Sequence, residues 1–333
     1  MAETPKNSPS AGITGQNGGE IKFLDIHCAF AKTPMGQELA SKARYDRYRP
    51  DFIPPAEWER LLGRDVNNLK HMPLTYELAQ VFLRGMMATD PPTDERNPIM
   101  TEPHNLAHFH HATPQNAGKS DHWANVRFSP QEIQTILLTA IVHDWAEADP
   151  DLGDITYDLK LDVHEKKESQ ILILMLRKQL GEILSPETLD LVHKTAFDKT
   201  GKLGEAFNAI ERLGYLRTAL NAWQEHEIDN PYRPDELTDC LAWLCSNVLA
   251  NQIPALLKLF PHYDGVRRAL DTAFSLIDEA FHAIPDNIFD RYPESERETQ
   301  RNKFLSARMA WDGYLKATPK PKIPPRSSAS SAF

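Results

Sequence analysis

Apolar residues recur along most of the chain at the three- and four-residue spacing of an amphipathic helix. The clearest example follows the segment 129–132, SPQE, which has the form of a helix capping box with proline at the first helical position. Ile133, Ile136 and Leu137 then share one face. No stretch shows the period-two alternation of a half-buried strand over a convincing length. The pattern therefore predicts an all-α fold.

The predicted helices share this periodicity and are bounded by proline, glycine or capping residues. They cover 73–88, a segment opening near 101, 129–147, 162–180, 186–196, 204–224, 234–251, 253–260, 263–284 and 296–315. Residues from about 21 to 70 are less periodic and contain several prolines and aromatics. We expect them to wrap the core as irregular structure.

The order of these segments predicts one helical core with additions at both ends. Both termini are rich in small residues and proline and have too few apolar residues to fold. The predicted units are a disordered N-terminus at 1–20, an N-terminal extension at 21–72, a core at 73–228, C-terminal helices packed on the core at 229–316, and a disordered tail at 317–333.

Charge and hydropathy limit the classes of partner. No stretch approaches the roughly 20 apolar residues that cross a bilayer, and the N-terminus lacks the apolar core of a secretory signal. We therefore expect a cytoplasmic protein with no membrane partner. The formal net charge of −10, without a basic stripe, argues against a long nucleic acid but not against a small anionic substrate. A homodimer is compatible with the apolar C-terminal helices.

The sequence His-Asp occurs once in the chain, at His143-Asp144, at the end of an apolar helical segment. Charged side chains on such a segment are costly unless something compensates for them. Glu147 follows one helical turn later. The predicted helix therefore ends in an imidazole and two carboxylates, which suits a divalent metal with an acid or base beside it.

Further candidate residues lie before and after this pair. His104 and His108 are four residues apart, on one face of a predicted helix. Asp154 follows a glycine in a loop, and Glu211 lies between two aromatic residues at i−4 and i+4. A carboxylate among aromatics needs a partner, and a metal would be one. Lys160 and Arg96 are candidate phosphate contacts.

His108, His143-Asp144 and Glu211 resemble the ligand set of the HD metal-dependent phosphohydrolase superfamily, which has a His, a His-Asp pair and a distant acid. The segment 143–160, HDWAEADPDLGDITYDLK, resembles the HD-type 5′-deoxynucleotidases in particular. The HNxxH element at 104–108 also resembles that of cyclic-nucleotide phosphodiesterases. The resemblance covers roughly residues 75–225. It departs from the family at Glu211, where the superfamily usually has Asp.

The resemblance implies an HD-type helical bundle that hydrolyses a small phosphomonoester, with a (deoxy)nucleoside monophosphate as the first candidate. One divalent ion, of Mn, Co, Mg, Zn or Fe, would be held by His108, His143, Asp144 and Glu211. Proton transfer and water activation would fall to Glu147, Asp154 and His104.

Three alternatives stay open from the sequence. The HNxxH element also fits a phosphodiesterase acting on cyclic or oligonucleotides. A di-iron oxygenase on the same fold would need further histidine ligands, for which His193 and His164 are the midchain candidates. A non-catalytic HD module that binds a partner is the third alternative, since a fold does not fix a function.

Overall fold

The computed structural model of the chain describes residues 12–14, 20–62, 67–84, 86, 126–150, 152, 160–225 and 234–317. Within these ranges the regular structure is helical except for isolated bridge residues and one antiparallel hairpin. The hairpin pairs Gly12–Thr14 (β1) with Glu20–Lys22 (β2). The predicted all-α class is confirmed. Strand β1 lies inside the segment 1–20 that we expected to be disordered.

The described ranges contain eleven α-helices. They are α1 (Phe23–Ala31), α2 (Pro34–Ser41), α3 (Pro55–Leu62), α4 (Asn68–Leu83), α5 (Pro130–Val142), α6 (Asp162–Leu180), α7 (Pro186–Phe197), α8 (Lys202–Glu225), α9 (Pro234–Leu259), α10 (Asp264–Ala283) and α11 (Glu294–Ala317). Short 3₁₀ turns occur at Asp46–Tyr48, Trp145–Ala148 and Asp286–Arg291.

Helix α5 is the centre of the core, and its predicted start is confirmed. The Ser129 hydroxyl accepts from the Glu132 N–H at 3.2 Å, and the Glu132 carboxylate accepts from the Ser129 N–H at 2.8 Å. Lys202, the first residue of α8, donates to the same carboxylate at 2.7 Å. The capping box therefore also ties the start of α8 to the start of α5.

The expectation of irregular structure at 21–70 is wrong, because α1, α2 and α3 lie there. Pro34 and Pro55 are the first residues of α2 and α3, where the missing N–H costs no hydrogen bond. Helices of eight or nine residues are too short to show a clear period.

Helix α4 is displaced from its predicted range, 73–88. It begins at Asn68, capped by the Asn67 side chain, which accepts from the Lys70 N–H at 2.9 Å. Pro73 therefore lies inside the helix rather than at its start. The helix ends at Leu83, five residues before the predicted end, and Val81 near that end is 54% exposed.

The two helices predicted at 234–251 and 253–260 form one continuous helix, α9, with Pro254 inside it. By length and composition alone, its segment Leu237–Leu259 would be able to cross a bilayer, although we expected no such stretch. The most apolar window of that segment is 72% buried inside the structure. Since α9 packs against α8 and α11, this burial is that of a core helix.

The start of α10 packs closely on the end of α4, at a position that only glycine fits. A Cβ at Gly265 would lie 2.7 Å from the carbonyl oxygen of Phe82 and 2.6 Å from its ring. Arg268 donates to the carbonyls of Phe82 and Arg84 at 3.1 and 2.8 Å. Helix α10 thus supplies donors to the last turn of α4, whose carbonyls have no partner within the helix.

We expect Gly265→Ala to lower the free energy of unfolding by about 2 kcal/mol, because the new methyl group overlaps a backbone atom that cannot move alone. Gly313→Ala is the matched control in α11, since nothing lies within 4 Å of its added Cβ. That change should raise stability by up to about 1 kcal/mol through helix propensity. Urea unfolding of both variants tests this, and equal effects would contradict the close approach.

Candidate metal centre

The His143-Asp144 pair lies where α5 ends. Helix α5 stops at Val142, His143 is its C-cap, and the Glu147 N–H donates to the Asp144 carbonyl at 3.0 Å in the 3₁₀ turn that follows. The expectation of one continuous helix face through Glu147 is therefore wrong. The tight turn still keeps both carboxylates buried, with Asp144 7% and Glu147 5% exposed.

Helix α4 brings a second imidazole to this pair. The ring of His71 packs edge-on against the ring of His143, with centroids 5.4 Å apart. One ligand atom from each of His71, His143 and Asp144 lies within 4.8 Å of the others. The hydroxyl of Thr75, one turn along α4, contacts the His71 Nε2 at 3.0 Å and orients the ring.

Sequence reasoning missed His71 because it placed the start of α4 at Pro73. That boundary left His71 in the extension at 21–72, outside the predicted core. Asn67 was the signal that would have found it, since asparagine is among the best N-cap residues. A helix starting there has His71 one turn before Thr75 on the same face.

The Nε2 atom of His143 lies among carboxylate oxygens. The Nδ1 atom is 3.2 Å from the Ala140 carbonyl, which fixes the proton on Nδ1 and the lone pair on Nε2. Nε2 makes no hydrogen bond within the described part of the chain. It lies 3.2 Å from Asp144 Oδ1 and 3.7 Å from Glu211 Oε1. Three atoms with lone pairs therefore converge, which requires a cation or a proton among them.

A second proton on His143 is disfavoured. Burial lowers the pKa of His143, although Asp144 and Glu211 raise it in part. The neutral imidazole is the form that binds metals. Donors bound at about 2.0–2.2 Å to one ion lie about 3–3.6 Å apart when they are not opposite one another. The observed separation of 3.2 Å lies within that range, and that of 3.7 Å is just above it.

Glu211 reaches this position from α8, which lies close to α4. A Cβ at Gly214 would be 3.8 Å from Cε1 of His71, an ordinary contact distance. The small residue lets α8 approach α4, and Glu211 lies one turn earlier on the same helix. The structure thus brings Glu211 beside His143, as the sequence predicted.

A buried arginine completes the surroundings of Asp144. Arg44, 6% exposed, donates from Nη1 to Asp144 Oδ2 at 3.2 Å and to Asn68 Oδ1 at 2.9 Å. Its guanidinium also lies over the Tyr215 ring, 5.6 Å from the centroid. Burial would raise the pKa of Asp144, but the positive charge of Arg44 helps to lower it below its ordinary value, so the carboxylate stays ionised. We did not identify Arg44 from the sequence.

Glu147 is held next to these groups by polar contacts on both its backbone and its side chain. Its carboxylate accepts from the Asn68 side-chain amide and lies 4.0 Å from the Lys160 ammonium. Its carbonyl accepts from Lys42 at 2.6 Å. Lys160, predicted from the sequence as a phosphate contact, is thus placed at the same site as Glu147.

A cavity of about 80 Å³ opens onto these residues. Its charged lining residues, among those described, are Asp144, Glu147, Glu168, Glu211, Arg44 and Lys160. Four carboxylates against two cations leave a formal excess of two negative charges, which a divalent cation would offset. Aromatic residues line the rest: Tyr45, Tyr48, Phe197, Phe207 and Tyr215.

Four of the predicted site residues lie outside the described residues, namely His104, His108, Arg96 and Asp154. The histidines considered for a di-iron site are engaged elsewhere. His193 Nε2 contacts the Ser169 hydroxyl at 2.8 Å, and His164 Nδ1 accepts from the Leu161 N–H at 3.2 Å. Neither of them lines the cavity.

Comparisons of the chain with protein-family models, with curated proteins and with solved structures found no match.

The Arg44–Asp144 contact generates a prediction about stability. We expect Arg44→Met to lower the free energy of unfolding of the metal-free protein by about 3 kcal/mol, because it leaves a buried carboxylate uncompensated. Arg177→Met is the control, since Arg177 makes the same kind of contact with Asp190 at 3.1 Å but both side chains are 58% exposed. Its loss should cost less than about 0.5 kcal/mol. Equal losses in chemical denaturation would contradict a buried network around Asp144.

Proposed function

We propose that the chain is a metal-dependent phosphohydrolase of the HD type, acting on a small phosphomonoester. One observation carries the proposal. The lone pair of His143 Nε2 meets the oxygens of Asp144 and Glu211 in a cavity that also holds two cationic side chains. A cation between the three atoms relieves their repulsion, and the cationic side chains suit a phosphoryl anion.

The proposed donors for the ion are His71, His143 and Asp144, whose ligand atoms lie within 4.8 Å of one another, together with Glu211, 3.7 Å from His143 Nε2. Imidazole and carboxylate donors do not select sharply among Mn²⁺, Co²⁺, Mg²⁺, Zn²⁺ and Fe²⁺. A divalent ion held there would lower the pKa of a bound water and offset charge on the phosphoryl group. His71 takes the place in this set that the resemblance gave to His108.

The residues around the donor set supply binding and proton transfer. Glu147 takes a proton from the attacking water or gives one to the leaving oxygen, and the Asn68 amide holds its carboxylate in place. Lys160 contacts the phosphoryl oxygens from one side of the cavity. Arg44 keeps Asp144 ionised and contributes positive charge from the other side.

The aromatic lining favours a substrate with a planar ring attached to its phosphate. Tyr45, Tyr48 and Tyr215 line the cavity that holds the charged groups. Aromatic side chains stack on flat rings and present hydroxyl groups for hydrogen bonds. A (deoxy)nucleoside monophosphate has both the ring and the anion and is the substrate we propose. The same proposal includes a cytoplasmic location.

Phosphate release tests the proposal directly. The full chain is stripped of metal, reloaded with one ion at a time, and assayed on nucleoside monophosphates and on cyclic and linear diesters. We expect metal-dependent monoester hydrolysis, reduced about 10³-fold by Asp144→Asn because the metal supplies several kcal/mol of transition-state stabilisation. Asp190→Asn, on the surface of α7, should keep full activity. Hydrolysis confined to diesters would favour a phosphodiesterase, and silence with every ion would refute the proposal.

Glu147→Gln separates chemistry from metal binding. The amide keeps the size of the side chain but has no exchangeable carboxyl proton. We therefore expect kcat to fall about 10²- to 10⁴-fold while the bound metal, measured by elemental analysis, stays at the wild-type level. Glu165→Gln, which removes a surface partner of Lys199, is the control. An unchanged kcat would exclude Glu147 from proton transfer.

A further inference from the structure

A second buried ion pair lines the same cavity, and the proposed reaction does not use all of it. The ammonium of Lys160, which precedes α6, contacts the carboxylate of Glu168 within α6. Their side chains are 20% and 6% exposed. Glu168 is the one acid among the described lining residues to which neither metal binding nor proton transfer assigns a role.

The Lys160 ammonium lies between two carboxylates. Glu168 contacts it directly, whereas the nearest oxygen of Glu147 is 4.0 Å away. Without Glu168, the ammonium would be drawn to Glu147, since opposite charges attract strongly where water is excluded. That movement would take the lysine away from the cavity wall and tie up the acid–base residue.

The positive charge of Lys160 agrees with its geometry, while burial raises the pKa of Glu168 and Lys160 offsets that rise in part. Burial would lower the pKa of Lys160, but Glu168 and Glu147 raise it above its ordinary value, so the side chain is an ammonium at neutral pH. Taking an ion pair out of water costs more than it returns in many proteins, and an apolar pair often serves stability as well. A buried pair at the edge of a reactive cavity therefore indicates a role in binding.

We propose that Glu168 is a positioning residue that holds the Lys160 ammonium apart from Glu147, where it contacts an oxygen of a phosphoryl anion. The inference deepens the proposed function, because it rests on a phosphoryl group being the ligand of the cavity. It assigns recognition of the anion to α6, which carries none of the proposed metal donors.

The direction in which anion binding changes when the charge of Glu168 is removed distinguishes positioning from simple electrostatics. Removing a negative charge beside an anion site strengthens anion binding if the charges act only through space. If Glu168 positions Lys160, its removal weakens binding instead. Calorimetric titration of the metal-loaded full chain with inorganic phosphate measures this without requiring turnover.

We expect Lys160→Ala to weaken phosphate binding about 30-fold and Glu168→Gln about tenfold. Glu168→Asp keeps the charge but retracts it, and should also weaken binding. In the Lys160→Ala background, Glu168→Gln should cause no further loss, because no ammonium is left to position. Asp190→Asn, from the surface pair with Arg177 at 3.1 Å, should leave binding unchanged. Thermal unfolding of each variant checks that it is folded.

Three outcomes would overturn the inference. They are tighter phosphate binding by Glu168→Gln, an equal loss with and without Lys160, and no phosphate binding by the wild type. If the expected pattern holds but no phosphoester is hydrolysed, the anion site stands and the proposed reaction fails. Its failure is therefore distinguishable from failure of the inference.

Discussion

The meeting of three lone pairs at the end of α5 is the constraint on which the rest of the site depends. His143 Nδ1 is committed to the Ala140 carbonyl, so its other nitrogen must face the oxygens of Asp144 and Glu211. Bulk solvent has little access to relieve this repulsion, since His143 is 4% exposed. Arg44 donates to Oδ2 of Asp144 and so compensates the charge on that oxygen. Oδ1 of the same carboxylate is left beside His143 Nε2. The surrounding fold is arranged to hold negative charge at one place in the core.

Much of the helical framework was predictable because its signals are local. The capping box at Ser129 and the apolar period after it fixed the start of α5, and the separations along α8 pointed to Glu211. The end of α5 was not predictable in the same way, because the change from α-helix to 3₁₀ turn at Asp144 depends on packing. His71 and Arg44 were missed for a related reason. Both lie before residue 73, where the short helices and the proline inside α4 left the apolar period too weak to define the elements.

The site is assembled from segments far apart in the sequence. Asn68 joins two of them, since its amide oxygen accepts from Arg44 and its amide nitrogen donates to Glu147. The neutral Asn68 side chain thus sets the position of Arg44 relative to Glu147, because each of them contacts a different atom of its amide group. Such a network specifies geometry more than it adds stability, because all of its buried polar groups must find their hydrogen-bond partners in the same arrangement.

Pro73, two residues after His71, gives the first turn of α4 an unusual dependence on the site. Proline has no N–H to donate to the carbonyl of Leu69, so this turn lacks one of the backbone bonds that would hold it. Side-chain hydrogen bonds hold this turn in place of the missing backbone bond. Asn67 caps its start, and Asn68 contacts Arg44 and Glu147. Local order at the start of α4 would therefore be thermodynamically linked to binding of an ion at the site formed by His71, His143 and Asp144. A ligand that draws His71 and Asp144 together would also suppress opening of this turn. The backbone of α4 would then be more ordered when the site is occupied than when it is empty.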